Sequence, residues 1–95
     1  MSKHANRKNI PVYSGLLLYF PEALKMVSKV SLQGQKQHKL KKLYWDRNKS
    51  KDHLDALTRH LIDADKIDND KLPHLAKVAW RALAALEEYL EKHKK

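Results

Sequence analysis

The sequence predicts a small all-α domain of three helices, an antiparallel helical hairpin with the first helix and an apolar N-terminal segment packed on it. Three observations carry this expectation. The chain has 95 residues, the length of one domain. Apolar residues recur at three- and four-residue steps in three separate stretches, the period of an amphipathic helix. Each stretch opens on a helix-start residue, Pro21, Ser50 or Pro73.

Met1–Asn9 reads as a flexible basic arm, followed by a single domain over residues 10–95. Pro11 and the Ser14–Gly15 pair are loop signals. The apolar run Leu16–Leu18 is expected to pack on the helices as an extended segment or a turn. Pro21 suits the first helical position, where its missing N–H has no intrahelical partner. Glu22 falls in the first turn, where the helix dipole favours a carboxylate. Ala23, Leu24, Val27 and Val30 give the first helix its apolar face, and Gly34 marks its expected end. Gln35–Lys49 reads as a basic connector holding Tyr44 and Trp45, and connectors of this length are often functional. The second helix is expected from Ser50, as N-cap, to about Asp65, with Leu54, Leu57, Leu61 and Ala64 as its stripe. The third opens at Pro73. Leu75, Val78, Ala79, Ala82, Leu86 and Leu90 are its expected buried stripe, with Trp80 and Leu83 flanking, and Lys92–Lys95 suit its C-terminus. The acidic turn between these two helices makes them a hairpin.

Composition narrows the partners. Lys and Arg number 20 against 11 Asp and Glu, a net charge of +9 that attracts anions: nucleotides, nucleic acid or acidic membranes. The absence of cysteine excludes disulfides, thiol chemistry and thiolate zinc sites. Leu16–Phe20 is too short to span a bilayer, so a cytoplasmic location without a membrane partner is expected. So short a domain buries a small fraction of its surface, and a homo-oligomer is expected as the source of further burial.

The second helix and the turn after it hold the candidate chemistry. Asp52, Asp55, Arg59 and Asp63 share one helix face, which on spacing alone reads as a solvated, salt-bridged surface. His53 and His60 share a neighbouring face. The turn adds Asp68 and Asp70, and His74 opens the third helix. In a hairpin the end of one helix approaches the start of the next, so His60, Asp63, Asp68, Asp70 and His74 can converge. Carboxylates and imidazoles at that density can hold a divalent cation. The competing reading is that Asp68 and Asp70 cap the third helix, and for either one alone it is the better reading. Glu87, Glu88 and Glu91 spell a metal-binding pattern of helical pyrophosphohydrolases but read by default as a solvated face. Trp45, beside Tyr44, Asp46 and Arg47, sits in the most basic stretch, with Lys39, Lys41, Lys42, Lys49 and Lys51. An aromatic among cations can stack on a base while the cations hold phosphate, or Trp45 can simply plug the core.

Four stretches together resemble a known family: Tyr19–Leu24, Trp45–Ser50, Asp55–His60 and His74–Ala84. Over residues 10–90 their order and spacing are similar to the small domain described as dATP/dGTP diphosphohydrolase, N-terminal, common in bacteriophage proteins. The resemblance implies an all-α fold in the style of MazG-like nucleotide pyrophosphohydrolases, a (deoxy)nucleotide substrate and a divalent metal, taken as Mg2+. Its polar motif positions fall on Glu22, Asp55, Arg59, His60, Asp68, Asp70 and His74, and Leu72 stands where family members often have glycine. A phage-encoded chain would act in the host cytoplasm.

Three functions follow as expectations. A metal-dependent (deoxy)nucleoside triphosphate diphosphohydrolase would use Asp55, Asp63, Asp68 and Asp70 as metal ligands and His60 or His74 as base. A non-catalytic trap, sequestering for instance a cyclic nucleotide of antiviral defence, would clamp its ligand with Trp45, Arg47, Lys49, Arg59 and Arg81. Nucleic-acid binding by the basic connector ranks third, because it leaves the Asp and His cluster unexplained.

Overall fold

A computed structural model describes residues 7–94. Most of the expected basic arm, residues 1–6, and Lys95 lie outside the described residues. The fold is all-α. A short π-helical turn, Tyr13–Leu17, precedes three α-helices: α1 (Pro21–Gln37), α2 (His53–Ile62) and α3 (His74–Lys92). No strand occurs among the described residues; one isolated bridge, Ile67 to Pro73, closes the turn between α2 and α3.

α2 and α3 form the expected antiparallel hairpin. His53, at the start of α2, reaches Arg81 and Glu88 of α3, while His60, near its end, reaches His74 at the start of α3. α1 lies against α3, where the Trp80 indole donates to Ser31 Oγ at 2.8 Å.

The helix boundaries shift for identifiable reasons. Gly34 is interior to α1, with open space around it, and the helix runs on to Gln37. The reversal falls at Lys39, which takes the left-handed φ of 56°. Ser50 does not cap α2. Its hydroxyl donates to Asp52 Oδ1 at 3.1 Å and accepts from Arg81 at 2.7 Å, and Asp52 takes the cap position. α2 ends at Ile62, before the turn at residues 63–65, and Pro73 precedes α3 rather than opening it.

Two expectations about packing are corrected. The Leu16–Leu18 run is not seated on the helices. Leu18 N–H bonds to Tyr13 C=O at 3.0 Å, a wide helical turn, and Leu16, Leu17 and Leu18 stay 41–57% exposed. Most of the stripe expected to be buried on α3 faces outward. Leu75, Leu86 and Leu90 and the flanking Leu83 are each half exposed and Ala82 is exposed, while Val78 and Ala79 are part-buried; Ala76 and Ala84 are buried, and Lys77, Trp80, Arg81 and Glu88 are part-buried on the inward side. α3 therefore turns its polar and aromatic residues inward. Among the described residues the buried apolar side chains are only Val27, Ala56, Ala76 and Ala84, none of them large.

Lys71, beside Leu72 in the acidic turn, has a φ of 72°. This conformation costs an L-residue about 1–2 kcal/mol, and glycine's greater freedom in the unfolded chain takes back part of any gain. Lys71→Gly is expected to raise stability by about 0.5 kcal/mol and Tm by roughly 2–4 °C, measured by thermal unfolding.

Candidate functional site

The inward face of α3, the C-terminal half of α1 and the connector enclose a cleft of about 480 Å3. That volume lies in the range of small-ligand pockets. Its position follows from the inverted helix: Lys77, Trp80 and Arg81 lie within a single helical turn of α3 and all line the cleft. The connector supplies Tyr44, Trp45, Lys49 and Ser50, and the hairpin end adds His60, Asp68 and Asp70.

The aromatic wall is built by edge contacts. Trp45 and Trp80 meet at 5.6 Å between ring centroids with planes 72° apart, and His53 packs against both at 6.2 Å. The Arg47 guanidinium lies 3.8 Å over the Trp45 ring. Arg81 is fixed from two sides, donating to Ser50 Oγ at 2.7 Å and to His53 Nδ1 at 3.0 Å. Accepting that bond leaves the other ring nitrogen of His53 to donate to Glu88, 3.3 Å away. Burial pulls Arg81 below the usual guanidinium value, but a guanidinium remains a cation at any physiological pH.

The hairpin end is a compact polar cluster. Lys77 Nζ donates to Asp68 Oδ2 and Asp70 Oδ2, both at 2.6 Å. The other oxygens shape the turn, since Asn69 N–H bonds to Asp68 Oδ1 and Leu72 N–H to Asp70 Oδ1. Neither aspartate makes a side-chain cap on α3; they tie the turn to Lys77 instead. Hydrogen bonds from Lys77 and Asn69 lower the Asp68 carboxyl. Burial pushes Asp70 upward, but Lys77 and the Leu72 N–H outweigh it and leave Asp70 lowered too. His60 and His74 approach Nδ1 to Nδ1 at 2.9 Å, and His74 Nε2 stands 3.8 Å from Asp68 Oδ1. Burial first, then the positive charge of Lys77, holds His60 below the ordinary histidine value.

The fold thus brings together His60, His74, Asp68 and Asp70, and separately places Trp45, Lys49 and Arg81 in the cleft. It leaves out the other expected residues. Asp55 is exposed beside a second, shallower groove with Asp52 and Glu88. Asp63 faces Lys66 at 3.5 Å after the end of α2. Arg59 pairs with Asp52 at 3.1 Å on the exposed face. Arg47 makes a two-pronged bond to Glu91, at 3.1 and 2.7 Å, pinning the connector to α3. The four aspartates expected as magnesium ligands therefore do not converge. Two are elsewhere, and the other two already share an ammonium, so the donor set does not fit a Mg2+ cage of oxygens.

Lys77 and Ser50 are the site residues that the sequence pattern misses. Ser50 reads as a helix cap, and Lys77 as one more lysine on the polar side of an amphipathic helix. The four-residue spacing of Lys77 and Arg81 was the available signal.

A family model described as dATP/dGTP diphosphohydrolase, N-terminal, matches residues 2–95. No curated protein and no solved structure matches the chain. Among the described residues no helix is long and apolar enough to cross a membrane.

Proposed function

The chain belongs to the dATP/dGTP diphosphohydrolase N-terminal family, and from that premise we propose that the cleft binds a (deoxy)nucleoside triphosphate and hydrolyses it. The observation that carries this reading is that Arg81 and Lys49, neither of them paired with the cleft's carboxylates, line one cleft beside Tyr44, Trp45 and Trp80. Cations held in a part-buried site bind phosphate oxygens by charge-assisted bonds, and the aromatic wall offers ring surface to the base. His60, which lines the cleft, takes the proton of the attacking water. The water oxygen bonds to the α-phosphorus and pyrophosphate leaves, giving the nucleoside monophosphate.

Incubating the protein with a nucleotide panel and divalent cations, then separating the products, tests this. Pyrophosphate release from dATP or dGTP is the expected result. Arg81→Ala and Lys49→Ala are each expected to weaken binding at least about tenfold, the loss of one charge-assisted contact. Asp55→Asn and Arg59→Ala, outside the cleft, are expected to bind as wild type. Tight binding with the nucleotide recovered intact would make the protein a trap. This second reading is favoured by one observation: Lys77 already engages one oxygen of each of the two carboxylates at the hairpin end of the cleft. Salt-sensitive retention of DNA or RNA without nucleotide binding would favour a nucleic-acid role.

We propose also that the working form is a homo-oligomer joined through α3. The stripe of Leu75, Leu83, Leu86 and Leu90 repeats at helical spacing over four turns, and a two-fold axis would set one such stripe against its copy.

A further inference from the structure

We infer that His60, His74 and Asp68 form a binding site for a first-row transition-metal dication of the zinc type, a metal class different from magnesium. The site is assembled from three places: the last turn of α2, the acidic turn and the first residue of α3. One ligand atom from each residue lies within 4.8 Å of the other two. The two Nδ1 atoms are 2.9 Å apart. Metal–nitrogen bonds of about 2.0–2.1 Å place two ligand nitrogens roughly 2.9–3.4 Å apart across 90–110°, so this pair is already spaced for a shared ion. Imidazole nitrogen suits zinc, cobalt, nickel and iron, whereas magnesium selects oxygen.

The surroundings support a site with an open position. Lys77 holds Asp68 by Oδ2, and Oδ1, which accepts the Asn69 N–H and stands 3.8 Å from His74 Nε2, keeps a second lone pair for an ion. Outer partners that orient a ligating carboxylate in this way are usual at metal sites. Three protein ligands leave a coordination position vacant, the arrangement of catalytic rather than structural zinc. Two of the three, His60 and Asp68, line the cleft, so the vacant position opens where a phosphate would lie. In the absence of metal, the same nitrogens share a single proton as a hydrogen bond between opposite tautomers. A metal on His60 Nδ1 would take over the activation of water that His60 performs as a free base, so the inference is tested with the metal alone, without nucleotide.

The full chain, freed of metal by a chelator, is titrated calorimetrically with zinc, cobalt(II) and magnesium in separate runs without nucleotide. One equivalent of zinc per chain is expected, with a visible absorption band from bound cobalt(II) and no displacement of zinc by a large excess of magnesium. Asp68→Asn is expected to weaken zinc by about 10–100-fold, and His60→Ala or His74→Ala by at least that much. His38→Ala and His93→Ala are expected to bind as wild type. Absence of zinc binding by the folded wild type overturns the inference, as does binding that survives both His60→Ala and His74→Ala, or magnesium competing on equal terms. Should the alanine variants not fold, wild-type imidazole NMR resonances decide it. Zinc-induced shifts at His60 and His74 support the site, and shifts confined to the other histidines overturn it. Nucleotide hydrolysis can fail while this metal still binds, and the metal can fail while nucleotide still binds.

Discussion

Leu83→Arg combined with Leu86→Arg is expected to convert an assembled protein into a monomer. Both leucines sit on the outward stripe of α3 at about half exposure, 50% and 53%. Each has on the order of 1 kcal/mol still to gain from being covered. A two-fold contact counts each residue twice, so the loss comes to about 4 kcal/mol, roughly a thousandfold in the dimer dissociation constant. Sedimentation equilibrium of the wild type is expected to give at least twice the chain mass, and the double variant the chain mass. The wild-type Tm is expected to rise with protein concentration, as it does when association stabilises the fold, and the variant Tm is not. A wild type that remains monomeric at high micromolar concentration removes the proposed assembly. The consequence reaches the cleft, because the opposite face of the same helix carries Lys77, Trp80 and Arg81. Covering the leucines would hold in place the element on which the site is built.

The inward and outward faces of α3 also mark what a sequence can and cannot reveal. The apolar period of Leu75, Leu86 and Leu90 and the start signal at Pro73 are local, and they were enough for helix, hairpin and turn. Periodicity identifies a stripe without telling what the stripe faces. The leucines of α3 are half exposed, and Ala76 and Ala84 pack inward instead. In the site, His60, Asp68, Asp70 and His74 were legible because hairpin geometry fixes which residues meet where two helices join. The spacing of Asp52, Asp55, Arg59 and Asp63 on α2 correctly read as a solvated, salt-bridged face, and the structure does not bring Asp55, Asp63 and Arg59 together as metal ligands or phosphate contacts. Lys77 was invisible because its role depends on two aspartates across a turn whose conformation hangs on the left-handed Lys71.

Lys77→Met is expected to be the most destabilising single substitution at the cleft, and its effect is expected to depend on pH. The side chains involved are only 13% (Lys77), 25% (Asp68) and 12% (Asp70) exposed. Removing the ammonium leaves two carboxylates facing each other with little water, a change that costs about 3 kcal/mol. Tm is expected to fall by roughly 12–24 °C at pH 7. In the wild type both carboxyls are lowered, Asp68 chiefly by the Lys77 bond and Asp70 by that bond against its burial. A lowered folded value means that their contribution is fully present above the ordinary aspartate value of about 3.9 and is lost as pH falls through the folded values. In the variant the sign reverses. Two unpaired carboxylates favour protonation, their values rise, and the variant regains stability relative to wild type as pH falls from 7 toward 4. Urea unfolding of both proteins across that range is expected to show the gap narrowing steadily. A gap that does not change with pH would mean that Lys77 acts through its packed methylene stem. The turn would then be held by the Asn69 and Leu72 backbone bonds alone, and the position of His74 would not depend on charge.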